Sequence, residues 1–209
     1  MARVGLLGGT FNPPHVGHLV CAEEARTALA LDQVLLLPVH TPPHKELQAD
    51  PGAEVRLELC RLAVGEAPGI DVSAHEIERG GRSYTVDTLR RLHADAPGDE
   101  LTFIVGGDMA HSLPTWREPE SVLDLAILAV AGRAELSRGA IVERLRGLRG
   151  VPDRLRFFDM PRMDISSSLI RARIVDRRPV RYLVPDGVVA YIERNALYAA
   201  APTPVGGHA

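Results

Sequence analysis

Six short apolar runs, residues 4–7, 34–37, 70–72, 101–105, 126–130 and 155–158, alternate along the chain with segments of helical periodicity. Each run has strand length and is apolar at almost every position, the pattern of strands covered by helices on both faces. Between them, Val55, Leu59, Leu62 and Ala63, or Ile141, Leu145 and Leu148, recur at the spacing of one helix face. Strand and helix in steady alternation predict an α/β fold with a Rossmann-like, doubly wound parallel sheet. At 209 residues and 45% hydrophobic composition, one domain suffices, expected over residues 1–198. A last helix is expected to begin at Pro185 and bury Val188, Val189 and Ile192. Residues 199–209, with two prolines and two glycines, read as a frayed tail.

In such sheets ligands bind beyond the carboxyl ends of the strands, where the strand order reverses. The first strand runs into GGTFNPPHVGH, residues 8–18. Gly8 and Gly9 allow the backbone to approach a ligand, and Thr10 and Phe11 complete the turn. The helix after Pro13 and Pro14 presents unpaired N–H groups to an anion. His15 and His18, three apart, share its first turn and can donate hydrogen bonds to phosphate oxygens. No Gly-Lys-Ser/Thr follows, and the glycine spacing is not GxGxxG, so the histidines stand where a phosphate loop carries lysine.

Two more segments belong at the same sheet edge. Gly106, Gly107 and Asp108 follow the fourth strand; Asp108 reads either as an acceptor for ribose hydroxyls or as a helix cap before Met109. In ISSSLIR, residues 165–171, the serines start a helix after Ile165. Ser166, Ser167 and Ser168 offer hydroxyls and helix-start amides, and Arg171 adds a cationic fork suited to a polyphosphate. Arg173, Arg177 and Arg178 read as a solvated face. A net charge of −3 argues against a general nucleic-acid surface, and no run has the length and apolarity of a membrane helix. Cys21 and Cys60 lack CxxC spacing and fall in helical apolar patterns, which reads as buried thiols. With no signal-peptide pattern in MARVGLLGG, a cytoplasmic address is expected.

The combination GGTFNPPHVGH, GGDM and ISSSLIR resembles the bacterial nicotinate-nucleotide adenylyltransferases of the HxGH nucleotidyltransferase superfamily, here His15-Val16-Gly17-His18. RSYTVDTL, residues 82–89, and Leu113-Pro114-Thr115-Trp116 extend the likeness. The resemblance implies adenylyl transfer from ATP to nicotinate mononucleotide, giving deamido-NAD and pyrophosphate, with Mg²⁺ accompanying ATP. It assigns His15, His18 and Arg171 to catalysis and ATP phosphates. Gly8, Gly9, Thr10, Phe11, Gly107, Asp108, Ile165, Ser166, Ser167 and Ser168 would line the ATP site, and Lys45, Tyr84, Thr85 and Trp116 the acceptor site. Trp116 would stack on the pyridine ring, although a core role is the alternative. Ser83 reads as a helix cap, which leaves helix-start N–H groups pointing outward near Thr85, where the resemblance places the acceptor's carboxylate. Lys45, in Pro42-Pro43-His44-Lys45, reads as a phosphate ligand or an exposed loop lysine, within a long segment 38–52 expected to be mobile. Asn12 replaces the aspartate common in the family and cannot supply negative charge, and Ser168 replaces a common threonine.

The attacking phosphate monoester has a second ionisation near pKa ~6, so this chemistry needs no protein base and no dedicated metal cage. Three other readings stand beside it: another HxGH nucleotidyltransferase acting on nicotinamide mononucleotide or a pantetheine phosphate, a nonenzymatic nucleotide-binding module, and a hydrolase metal site of His15, His18 and Asp108. Neither nucleic acid nor membrane is an expected partner, and self-association into a homo-oligomer is left open.

Overall fold

The computed structural model describes residues 1–43, 46–132 and 137–199. From the amino end come β1 (Arg3–Gly9), α1 (Val16–Ala28), β2 (Gln33–Pro38), α2 (Ala53–Val64), β3 (Ile70–Val72), α3 (His75–Arg79) and α4 (Thr85–Asp95). Next are β4 (Glu100–Gly106), α5 (Gly107–Ser112), a single 3₁₀ turn at Leu113–Thr115, α6 (Pro119–Leu125) and β5 (Ile127–Gly132). The described chain closes with α7 (Arg138–Leu145), α8 (Val151–Arg154), β6 (Leu155–Asp159), α9 (Ser167–Val175) and α10 (Asp186–Arg194).

All six expected strands form one sheet in the order β3-β2-β1-β4-β5-β6, with every neighbouring pair parallel. The chain order reverses between β1 and β4, so the carboxyl ends of these strands flank the crevice where a ligand belongs. Helices cover both faces, producing two separate cores. One gathers Leu6, Phe103, Val105 and Leu128 with Val86 and Leu89 of α4. The other gathers Leu7, Leu36, Ile104 and Ala129 with Cys21, Ala22 and Ala25 of α1. Cys21 and Cys60 are buried, as expected.

A third cluster joins the carboxyl-terminal helices to α2: Leu59 and Ala63 pack with Ile170 of α9 and Val188 and Ile192 of α10. Ile170 is fully buried, a burial contributing about 1.5–3 kcal/mol, and it anchors α9 against the body of the protein. Pro185 caps α10 rather than opening it, so the helix starts one residue later than expected; Val188 and Ile192 are buried and Val189 half-buried. Arg173 also departs from expectation: its guanidinium donates twice to the Pro179 carbonyl, at 2.9 and 2.7 Å, and folds the chain back after α9. Among the described residues no helix is long and apolar enough to cross a membrane. Of the expected tail only Ala199 is described, and it is exposed; residues 200–209 lie outside the described residues.

Candidate active site

His15 caps α1 in an extended conformation, with φ −145° and ψ 168°, and is only 4% exposed. Its backbone N–H donates to Nδ1 of His18 at 3.1 Å. A nitrogen that accepts a hydrogen bond cannot carry the ring proton, so neutral His18 holds its proton on Nε2 as a donor. The two imidazoles stack with centroids 3.7 Å apart and planes inclined by 26°. Phe11 meets His18 edge-on at 4.9 Å. Gly17 fits closely into the same packing: a Cβ there would meet His15 Nδ1 at 3.1 Å and Cε1 at 3.2 Å, so the ring would have to shift by a few tenths of an ångström.

The second helix start arrives at the same place. Ser167 Oγ donates to the Pro13 carbonyl at 2.8 Å, and Arg171 Nη1 donates to the Asn12 carbonyl at 2.8 Å, tying α9 to the turn before α1. Ser166 caps α9 by accepting the Leu169 N–H at 3.1 Å, while Arg171 Nη2 reaches Ser168 Oγ at 3.3 Å. Two of the three serine hydroxyls expected at phosphate therefore hold the helix in place. A cavity of about 420 Å³ opens between the two helix starts, lined by Thr10, Asn12, His15, His18, Ile165, Ser166, Ser167, Ser168 and Arg171.

Gly8 and Gly9 divide the end of β1 between its two faces. A Cβ at Gly8 would meet the Phe103 ring at 3.0 Å, and one at Gly9 would meet the Phe11 ring at the same distance. The glycines thus admit two aromatic rings, a packing demand that the expected approach to a ligand did not include. Phe11 leads to His18 on the side of the cavity. Phe103 leads to Trp116 on the other, in an edge contact at 6.0 Å. Trp116 is half-buried and its indole N–H donates to Ser112 Oγ at 2.9 Å, so it joins the margin of the core and keeps part of its surface open. The half-buried Tyr84 lies under the Arg117 guanidinium at 5.0 Å.

The sequence expectation misassigned the cap of α4. Tyr84 is the cap and Thr85 the first helical residue, whereas Ser83 Oγ accepts the His40 N–H at 2.9 Å. Asp108 is not a cap either: Gly106 caps α5, Gly107 opens it, and Asp108 is exposed in the first turn at the carboxyl end of β4. Lys45 lies outside the described residues. In the described part of its loop, Asn12 Nδ2 donates to the Gln48 carbonyl at 3.1 Å and Arg56 Nε to Asp50 at 2.9 Å. Glu46, Leu47 and Gln48 complete the cavity lining.

Two further residues escaped the sequence reading. Arg56 is fully buried, and its signal was a charge on the stripe shared with Leu59, Cys60 and Ala63. Glu76 is 5% exposed and accepts the Thr88 hydroxyl at 2.7 Å. Burial pushes its carboxyl above the usual carboxylate range, against the opposing pull of the Ser83 and Thr88 hydroxyls and of Arg79. Asn12 is 2% exposed; its Oδ1 is buried and meets no hydrogen-bond donor among the described residues. Among those residues no group of three His, Cys, Asp or Glu side chains is arranged to hold a metal, which leaves the hydrolase metal site without a ligand set.

A family model described as Cytidylyltransferase-like matches residues 6–173. A "Probable nicotinate-nucleotide adenylyltransferase" of Roseiflexus sp. (strain RS-1) is 45% identical over 199 residues, covering 94% of this chain and 98% of its own. A protein of the same name from Desulfitobacterium hafniense (strain Y51) is 42% identical, covering 94% of this chain and 95% of its own. In structure, the chain is similar to the Plasmodium falciparum nicotinic acid mononucleotide adenylyltransferase complexed with NaAD, with TM-score 0.76 at 15% identity, covering 95% of this chain and 98% of that one. That likeness concerns the fold. With these matches spanning the strands and both helix starts of the cavity, the chain belongs to the cytidylyltransferase-like family and, within it, to the nicotinate-nucleotide adenylyltransferases.

Proposed function

We propose that the protein transfers the adenylyl group of ATP to nicotinate mononucleotide, giving deamido-NAD and pyrophosphate. The observation that carries this reading is the convergence of α1 and α9, held by the Ser167–Pro13 and Arg171–Asn12 bonds, on one cavity lined by both histidines. The nature of the acceptor is supported by the name that the relatives from Roseiflexus and Desulfitobacterium carry, "Probable nicotinate-nucleotide adenylyltransferase".

An oxygen of the acceptor's phosphate attacks the α-phosphorus of ATP in line. The bond from that phosphorus to the bridging oxygen breaks, and pyrophosphate leaves with no covalent enzyme intermediate. The protein aligns two polyanions and stabilises charge on the α-phosphoryl and the leaving group. His18 Nε2, with its proton fixed there by the His15 backbone, donates to the α-phosphoryl oxygens. His15 and Arg171 hold the ATP phosphates, with Thr10, Ile165 and the amides of Ser167 and Ser168 around them. Gly8, Gly9, Phe11, Gly107 and Asp108 form the margin between phosphates and ribose. On the far side of β1, Trp116 stacks on the pyridine ring, and Tyr84, Thr85 and the start of α4 receive the carboxylate; Lys45 takes a phosphate.

Asn12 would hold Mg²⁺ in this cavity, since its Oδ1 is a buried oxygen with its amide orientation set by the Nδ2 bond to Gln48, and phosphates and water would supply the other ligands. When bound, the ion neutralises charge on the triphosphate. A cytoplasmic location belongs to the same proposal and follows from ATP as substrate. Pyrophosphate release with ATP and Mg²⁺, compared across nicotinate mononucleotide, nicotinamide mononucleotide, phosphopantetheine and a CTP-dependent acceptor pair, tests it. The acid mononucleotide is expected to be the preferred acceptor; ATP binding with no release on any acceptor would favour the nonenzymatic module.

A further inference from the structure

The paired ladder between β1 and β2 ends at Gly9 and Pro38, and one more bond, from the Val39 N–H to the Gly9 carbonyl at 3.0 Å, links the strand ends. Beyond it Arg56 takes over. From the second turn of α2 its guanidinium donates to the Thr10 carbonyl at 3.1 Å, the Val39 carbonyl at 2.5 Å and the His40 carbonyl at 2.8 Å, as well as to Asp50. Thr10 belongs to the phosphate turn. His40 leads to the other substrate: its N–H donates to Ser83 Oγ, and the Ser83 N–H returns to the Thr41 carbonyl at 2.9 Å, immediately before α4.

A fully buried arginine opposite one half-buried carboxylate is a poor way to gain stability, since an apolar side chain of similar size serves a core as well or better. What the planar fork supplies is register, because its donors are rigidly spaced and reach carbonyls on two different strand ends. Its own base is firm, for Leu59, Cys60 and Ala63 bury the next turns of α2.

We propose that Arg56 is a positioning residue: its buried guanidinium clamps the phosphate turn at Thr10 to the loop at Val39 and His40, and through Ser83 sets that turn against the helix start that receives the acceptor. The identity of the two substrates rests on the function proposed above; the clamp itself does not. Its contribution to turnover is the fixed distance between α-phosphorus and attacking oxygen.

The test is Arg56→Lys, which keeps the charge and loses the fork. Relative to wild type, kcat is expected to fall about tenfold or more while ATP affinity stays within about twofold, the signature of lost alignment rather than lost binding. In the absence of substrates, the amides of Val39, His40 and Ser83 should exchange with deuterium faster, together. A folded Arg56→Lys protein with wild-type kcat overturns the proposal. Should that variant fail to fold, Ser83→Ala decides: it cuts the same bridge at its far end, and wild-type kcat with unchanged His40 exchange would refute the clamp. If the wild-type protein transfers no adenylyl group to nicotinate mononucleotide, the substrate reading fails, and the exchange of the three amides alone supports or overturns the clamp.

Discussion

The imidazole of His18 turns back on the cap of its own helix and accepts the His15 backbone N–H at 3.1 Å. The bond sets the tautomer of neutral His18, and in the function proposed above that spares the site a reorganisation at the moment of reaction. Its partner His15, stacked on it and buried, is held in place by the absence of a side chain at Gly17.

Replacing His18 by alanine removes the preorganised donor. We expect kcat to fall by about 10²–10³, as for loss of one oxyanion-hole donor. Single-turnover kinetics on the folded variant check this; an unchanged chemical rate would remove His18 from the transition state.

Gly17→Ala separates stability from geometry. Alanine is the better helix former by about 1 kcal/mol, so Tm should hold or rise. The new methyl would press on the His15 ring and displace it, so kcat should fall in the same protein. A variant that is stable and fully active contradicts the packing described.

Trp116 is the sole tryptophan in the chain, so its fluorescence reports on the acceptor site proposed above. Nicotinate mononucleotide is expected to quench it. Trp116→Ala should raise the acceptor's KM by roughly 3–10-fold, in line with a stacking contribution of ~0.5–1.5 kcal/mol, with ATP's KM unchanged. Equal fluorescence with and without acceptor would return Trp116 to the core.

Glu76 makes stability depend on pH. Burial raises its folded-state pKa above the ordinary glutamate value, so the native state binds the proton more tightly than the unfolded chain. This contribution is fully present below the unfolded value of about 4.3 and is lost as pH rises through the folded pKa. Glu76→Gln removes that loss while keeping the shape. Thermal melts at a series of pH values from 4 upward should show the wild type losing Tm relative to the variant; parallel profiles would mean that Glu76 titrates normally.

The strands were legible because a parallel sheet covered on both faces writes itself as apolar runs, and β2 and β4 exceed the expected runs by a residue at each end. The cavity was legible because HxGH and ISSSLIR are contiguous motifs, each carried by one helix start. Contacts between distant segments were not legible. That Ser83 serves His40 rather than its own helix, that Arg56 gathers carbonyls from two strand ends, and that Gly8 and Gly9 make room for Phe103 and Phe11 depend on tertiary neighbours that local spacing does not encode. Arg173 was misread for the same reason: its partner, Pro179, is reached only after the chain turns back.

The central claim is that the starts of α1 and α9 hold one triphosphate between them. Calorimetric titration of ATP with Mg²⁺ into the wild-type protein, His15→Ala and Arg171→Ala tests it most directly. One site per chain is expected, with each substitution weakening it by about tenfold or more, the equivalent of one charge-assisted hydrogen bond. Affinity that falls for one variant and is untouched in the other, both being folded, would mean that the two helices do not share a ligand.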